Sequence, residues 1–166
     1  LFRSVFVDYN IIITTLTHFE QVISIIPSLK ERVFKVAVSP TEETVIMIAT
    51  APKESKIGMI VRSENFKNLM MARLNAMNID ISKVKVSFEN DPTQMDKLLL
   101  EMDVLIIPHF LLLSNQKLAR QLHYFKGRGG IVIDFRYQIE VGSLIYIEER
   151  VHKLLHDFAA ESRVQA

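Results

Sequence analysis

The chain has 166 residues, 49% hydrophobic and 23% charged, with a formal net charge of +1, which is enough apolar material for one cored domain and too much for disorder. It contains no cysteine and no clustered basic stripe, which excludes a disulfide framework and a thiolate metal site and argues against a nucleic-acid surface. No apolar run reaches the ~20 residues of a membrane-spanning helix and no signal-peptide pattern is present, so a cytoplasmic protein without a membrane partner is expected.

The chain opens with Leu1-Phe2-Arg3-Ser4 rather than methionine and soon reaches a strand pattern, which reads as a single domain (1–166) cut from a longer polypeptide. Val5 to Tyr9 reads as a first strand ending in Asp8, Tyr9 and Asn10. From Ile11 to Ile26, Ile12, Leu16, Phe19, Ile23 and Ile26 recur at helical spacing until Pro27. Phe34 to Val38 is a second strand. Ser39-Pro40-Thr41-Glu42 then gives a helix start, with serine as N-cap and proline in the first turn. The short apolar helix that follows, Val45 to Ala49, is expected to be buried.

Lys56 to Phe66, KIGMIVRSENF, is the most informative stretch. Ile57 to Val61 suits a parallel strand covered on both faces, Arg62 and Ser63 form a turn, and a helix opens at Glu64 and runs to about Met77. Val84 to Phe88 alternates as a further strand. Asp91-Pro92 opens a helix to Met102, and Val104 to Ile107 is another buried strand, closed by Pro108 and His109. Ser114 is read as the cap of a helix reaching Phe125, and Ile131 to Phe135 as the last strand. Arg136 to Gly142 reads as a connector, Ser143 to Phe158 as an amphipathic helix, and the tail from Ala159 as frayed.

Strands alternating with helices across short connections predict an α/β fold: a Rossmann-like three-layer sandwich with a mostly parallel sheet of about six strands and helices on both faces. Strand order is not readable. In such sheets ligands bind outside the carboxyl ends of the strands. The turns there would carry Asp8, Tyr9 and Asn10; Ser39 and Thr41; Arg62 and Ser63; Glu89, Asn90 and Asp91; Pro108, His109 and Phe110; and Asp134, Arg136 and Tyr137. Helix N-termini at Ser39 and Ser63 with two arginines suit a phosphate or carboxylate. The bland alternatives are that both serines only cap helices, that Asp134 and Arg136 only pair with each other, and that His109 is a packed or hydrogen-bonded histidine.

Motifs for catalysis are absent. There is no G-x-G-x-x-G, no P-loop and no G-x-S-x-G elbow, so no cofactor and no catalytic residue is assigned. His152 and His156 share a helix face without a convincing third ligand, so no metal is expected. A phosphate-receiver domain would want paired acids after the first strand and an aspartate where Arg62 stands.

Three segments, KIGMIVRSENF (56–66), DVLIIP (103–108) and IVIDFRYQIEVGS (131–143), resemble the carboxyl-terminal effector-binding domain of GntR-type winged-helix bacterial regulators. The resemblance implies a homodimer that senses a small metabolite. It also implies that DNA is contacted only through a winged-helix domain absent from this chain. The expected function is binding of an anionic effector by Arg62, Ser63, Arg136 and Tyr137, aided by Ser39 and Asp8. The alternative is a Rossmann-like enzyme or subunit acting on a phosphorylated or nucleotide substrate.

Overall fold

Apolar runs of three to five residues alternate with short helices along most of the chain, and a computed structural model describes residues 5 to 164, with side chains from 5 to 156. The four opening residues, whose identity suggested a cut from a longer chain, lie outside the described residues. In chain order the elements are β1 (Ile12–Thr15), α1 (Phe19–Ile25), β2 (Val33–Val36), β3 (Val38–Pro40), α2 (Glu42–Ala49) and β4 (Ile57–Val61). Then come α3 (Glu64–Ala76), β5 (Lys85–Phe88), α4 (Pro92–Glu101), β6 (Val104–Pro108) and α5 (His109–Ser114). The last are α6 (Gln116–Gly127), β7 (Ile131–Phe135), β8 (Tyr137–Ile139) and α7 (Val141–Val164). They divide into two compact units, residues 40–136 and residues 1–39 with 137–166.

The unit of residues 40–136 is built on a four-stranded, all-parallel sheet in the order β5-β4-β6-β7. β4 and β6 lie inside it, and their burial follows: all five residues of β6 and four of five in β4 are buried. The edge strands β5 and β7 alternate between buried and accessible positions, as strands with fewer neighbours do. On one face Ile60, Leu105 and Ile107 pack against Met95 and Leu98 of α4 and Leu118, Leu122 and Phe125 of α6. α3 packs on β4 and α2 on β7, with Met70 and Leu74 of α3 fully buried. Helices therefore cover both faces, and the α/β, Rossmann-like class holds.

Side chains cap four of the helices. The oxygens of Thr41, Ser63, Asp91 and Asn115 accept the N–H groups of Thr44, Phe66, Gln94 and Leu118 at 3.0 to 3.3 Å. Each satisfies one of the backbone donors that a helix start leaves open.

In the other unit β1 pairs parallel with β2, from Ile12 opposite Val33 to Thr15 opposite Val36. Ile12, Ile26 and Val33 form its small core with Phe19, Val22, Ile23 and Leu29. β3 pairs with β8. α7 lies on β2: Ser143 Oγ accepts the Ala37 N–H at 2.9 Å, Tyr146 meets Phe34 edge-on at 6.3 Å, and the Arg150 guanidinium stands 5.3 Å over the same ring.

Several expected elements move. Val5 to Tyr9 is not a strand; the first strand begins at Ile12, inside the stretch expected to be helical, and the helix starts only at Phe19. The run Ile11 to Thr15 is entirely β-branched, so its side chains favour an extended backbone, and β2 supplies the ladder. Ser39 lies in β3, and Thr41 caps α2 instead. Asn115, not Ser114, caps α6, and Ser114 ends the unforeseen helix α5. The stretch read as a connector after β7 contains β8, and the sheet holds four strands where about six were expected. α2 buries Thr44 and Ile48 but leaves Val45 and Ile46 exposed, and α7 stays helical to Val164.

Gly58 in β4 lets α4 approach closely. A Cβ there would stand 2.5 Å from Leu98 Cδ2, 2.7 Å from Met102 Cγ and 2.9 Å from Leu105 Cδ2. Gly58→Ala is therefore expected to destabilise the protein by about 1–3 kcal/mol through overpacking, read as a lower urea midpoint at unchanged slope.

Candidate ligand site at the carboxyl edge of the sheet

The order β5-β4-β6-β7 means that the chain leaves β4 for β5 on one side and then crosses to β6 on the other. The carboxyl ends of β4 and β6 thus flank a topological switch point, where the two outgoing turns diverge and leave a crevice. Arg62 and Ser63 follow β4, and His109 and Phe110 follow β6. Glu89 follows β5 on one flank, and Asp134 and Arg136 mark the end of β7 on the other.

Arg62 is held by its neighbours. The Glu89 N–H donates to Val61 O at 2.9 Å, which brings the carboxylate beside the end of β4. Arg62 then engages it through Nε to Oε1 at 2.5 Å and Nη2 to Oε2 at 3.2 Å. Nη2 also reaches Ser114 Oγ at 3.4 Å, and the guanidinium lies 4.9 Å from the Phe110 ring centre. Phe110 in turn meets Phe66 edge-on at 5.7 Å. The hydrogen bond Arg62 donates to Glu89, and then the charge of that carboxylate, push the Arg62 pKa above its ordinary value. The side chain keeps half of its surface exposed, so the charge faces solvent at the mouth of the crevice. Ser63 is occupied: its hydroxyl accepts the Phe66 N–H.

Across β6, Asp134 is the centre of a second cluster. His109 Nδ1 lies 3.1 and 2.9 Å from its two carboxylate oxygens, and Arg136 Nε and Nη2 reach Oδ2 at 2.7 and 2.6 Å. A carboxylate only accepts, so Nδ1 carries a proton; in the neutral imidazole Nε2 is then the accepting nitrogen. Nε2 has no protein partner among the described residues, and the imidazole is 40% exposed. Asp134, by hydrogen bond and then by charge, pushes the Arg136 pKa upward.

Buried Thr44 fixes the end of β7 behind this cluster. Its hydroxyl donates to Asp134 O at 3.2 Å and accepts the Arg136 N–H at 3.1 Å, while the Thr41 N–H donates to Arg136 O at 3.0 Å. The first turn of α2 thereby sets the direction in which Asp134 and Arg136 leave the sheet.

Of the six residues expected at the site, Arg62, Ser63 and Arg136 belong to this unit. β6 separates the β4 and β7 ends, two strand spacings or about 10 Å apart. Asp8, Ser39 and Tyr137 belong to the other unit. Asp8 is exposed and precedes β1, so it lies at the amino end of a strand rather than the expected carboxyl end. Ser39 and Tyr137 are half-buried on the paired strands β3 and β8, and Ser39 opens no helix. The sequence places Glu89, His109 and Phe110 on turns along this edge but does not single them out as binding residues, because their meeting depends on the strand order.

A match to a family model of the YmtS Rossmann-like domain covers residues 58–157. The chain belongs to that family. No curated protein and no solved structure matches it. The stretch matched to the YmtS Rossmann-like domain contains Arg62, Ser63, Glu89, His109, Phe110, Asp134 and Arg136, and leaves out Asp8 and Ser39. Among the described residues no helix is long and apolar enough to cross a membrane, and no group of three or more His, Cys, Asp or Glu could hold a metal.

A separate open groove of about 410 Å³ lies between α4 and α6, lined by Leu99, Leu100, Tyr124 and Phe125. Gln121 Nε2 donates to Asp96 at 2.8 Å while its Oε1 is buried without a hydrogen-bond partner among the described residues, and Arg128 donates to the Leu99 and Met102 carbonyls. It sits towards the amino ends of the strands, away from the charged turns.

Thr44→Val keeps the shape of the side chain but removes the hydroxyl. The Arg136 N–H then loses its acceptor, and a loss of about 1–3 kcal/mol is expected in denaturant unfolding. Faster amide exchange at Arg136 than at the β6 amides would place the damage at the end of β7.

Proposed function

We propose that this YmtS Rossmann-like domain is a ligand-sensing module that binds an anionic small molecule at the crevice between the carboxyl ends of β4 and β6. The observation that carries the reading is the strand order, which sets the Arg62–Ser63 turn beside the His109–Phe110 turn at a switch point. Arg62 offers a planar, exposed fork suited to a phosphate or carboxylate, and His109 Nε2 offers an acceptor for a ligand hydroxyl or N–H. Arg136 supplies a second positive charge across β6.

In this reading the ligand competes with Glu89 for Arg62. Exchange of that carboxylate for a ligand anion would move the turn after β4 and the helix α5, which touches Arg62 through Phe110 and Ser114. Such an exchange couples occupancy to a change of arrangement, as a sensor requires. The resemblance of residues 56–66, 103–108 and 131–143 to the effector domains of GntR-type regulators supports the same role. DNA contact would then belong to a winged-helix domain outside this chain.

Calorimetry against sugar phosphates, nucleotides and organic acids tests the reading. For any ligand that binds, Arg62→Ala is expected to weaken affinity at least tenfold, about 1.4 kcal/mol, with the melting temperature changed by only a few degrees. Unchanged affinity together with a large loss of melting temperature would make Arg62 a structural residue and remove the assignment.

The His109–Asp134 pair favours a second reading, an enzyme acting on a phosphorylated or nucleotide substrate with His109 Nε2 as general base. Here His109→Asn should abolish turnover while leaving substrate binding within a few-fold. Wild-type protein that binds members of the same panel without converting any of them would leave only the sensor.

A further inference from the structure

Helix α7 spans 24 residues and docks on β2 through Ser143, Tyr146 and Arg150. At 3.6 residues per turn, Val141, Leu144, Ile145, Glu148, His152 and Leu155 fall within an arc of about 100° on the opposite side. The apolar members are 71, 50, 52 and 61% exposed for Val141, Leu144, Ile145 and Leu155 respectively. Glu148 and His152 are also open, with their side chains 72 and 75% exposed and 3.9 Å apart. An apolar stripe of this kind on a long helix marks an interaction surface.

The order of residues along the stripe specifies the partner. Read from either end about position 150, the seam runs apolar, polar, polar, apolar: Ile145, Glu148, His152, Leu155. An antiparallel copy of the same helix would set Ile145 against Leu155 of the copy and Glu148 against its His152. A parallel copy would set Glu148 on Glu148, which like charges disfavour, and would leave each His152 without a carboxylate across the seam. A two-fold axis crossing the helix at position 150 makes the surface complementary to itself, as an isologous contact requires.

We propose that α7 forms a homodimer seam, pairing antiparallel with α7 of a second copy through Ile145, Glu148, His152 and Leu155. The seam lies in the unit of residues 1–39 and 137–166 and shares no residue with the crevice at Arg62 and His109.

Because the chain has no cysteine, engineered thiols report the register cleanly. Ile145→Cys and Leu155→Cys proteins, mixed and oxidised mildly, should yield chiefly the mixed cross-linked dimer; chiefly self-cross-linked dimers of each variant would overturn the antiparallel seam. Sedimentation of the wild-type chain should give a dimer, and Ile145→Asp with Leu155→Asp should give a monomer of unchanged circular dichroism. A wild-type monomer up to about millimolar concentration, or a folded double variant that remains dimeric, overturns the proposal. Should the double variant fail to fold, Glu148→Lys serves: it should weaken the dimer at least several-fold, and Glu148→Lys combined with His152→Glu should restore it. A dimer indifferent to these charge changes also overturns the proposal.

Discussion

The constraint on which the larger unit depends is the burial of β4 and β6 on both faces. Each of these strands lies between two hydrogen-bonded neighbours, and every side chain from Met59 to Val61 and from Val104 to Ile107 is closed off from water. Such a strand has no place for a polar group except at its ends, because an unpaired polar group in the layer would cost several kcal/mol. The polar residues are accordingly displaced to the turns, and the parallel direction of all four strands collects the carboxyl-end turns on one edge. Chemistry at Arg62, Glu89, His109 and Asp134 follows from packing, before any ligand is considered.

The same edge depends on a second, smaller constraint, the hydroxyl of Thr44. It is 1% exposed and sits between the Asp134 carbonyl and the Arg136 N–H. The chain must leave β7 there, and without that hydroxyl two backbone groups at the exit would lack partners. Once the exit is fixed, Asp134 takes His109 on one side and Arg136 on the other, so a single carboxylate orients two side chains. A helix start that caps itself through Thr41 and Thr44 thereby becomes part of the site's support.

The parts of this arrangement that were legible in the sequence are those governed by neighbours in the chain. β4 and the start of α3 could be read residue by residue, because an uninterrupted apolar run and a serine three residues before Phe66 leave little choice. Ser39 and Ser114 were misread as caps for a common reason. Each lies near a better-placed capping residue, Thr41 or Asn115, and the choice is made by what the preceding segment pairs with: β3 takes Ser39 into its pairing with β8, and α5 takes Ser114 into its last turn. In Ile11 to Ile26 both periods were present, and the β-branched run was decided by β2, twenty residues away. The meeting of Arg62 with Glu89, and of His109 with Asp134, rests on which strands are adjacent. Sequence separations of 27 and 25 residues carry no local trace of that.

Charge balance at the edge shapes what can bind there. Two guanidiniums face two carboxylates, Arg62 with Glu89 and Arg136 with Asp134, so these four groups cancel. The crevice is therefore not a positive hole waiting to be filled. A simple monovalent anion gains little by entering, since it must replace a carboxylate that already takes Nε and Nη2 of Arg62. A phosphate or polycarboxylate has further oxygens and more than one negative charge. It can take the fork of Arg62 and still offer a donor or charge to the groups across β6. If the proposed sensor reading holds, selectivity for such ligands would come from the competition with Glu89. The cation–π contact with Phe110 does not depend on which anion the guanidinium holds, so in the proposed exchange a shift of Arg62 would be passed to Phe110 and α5.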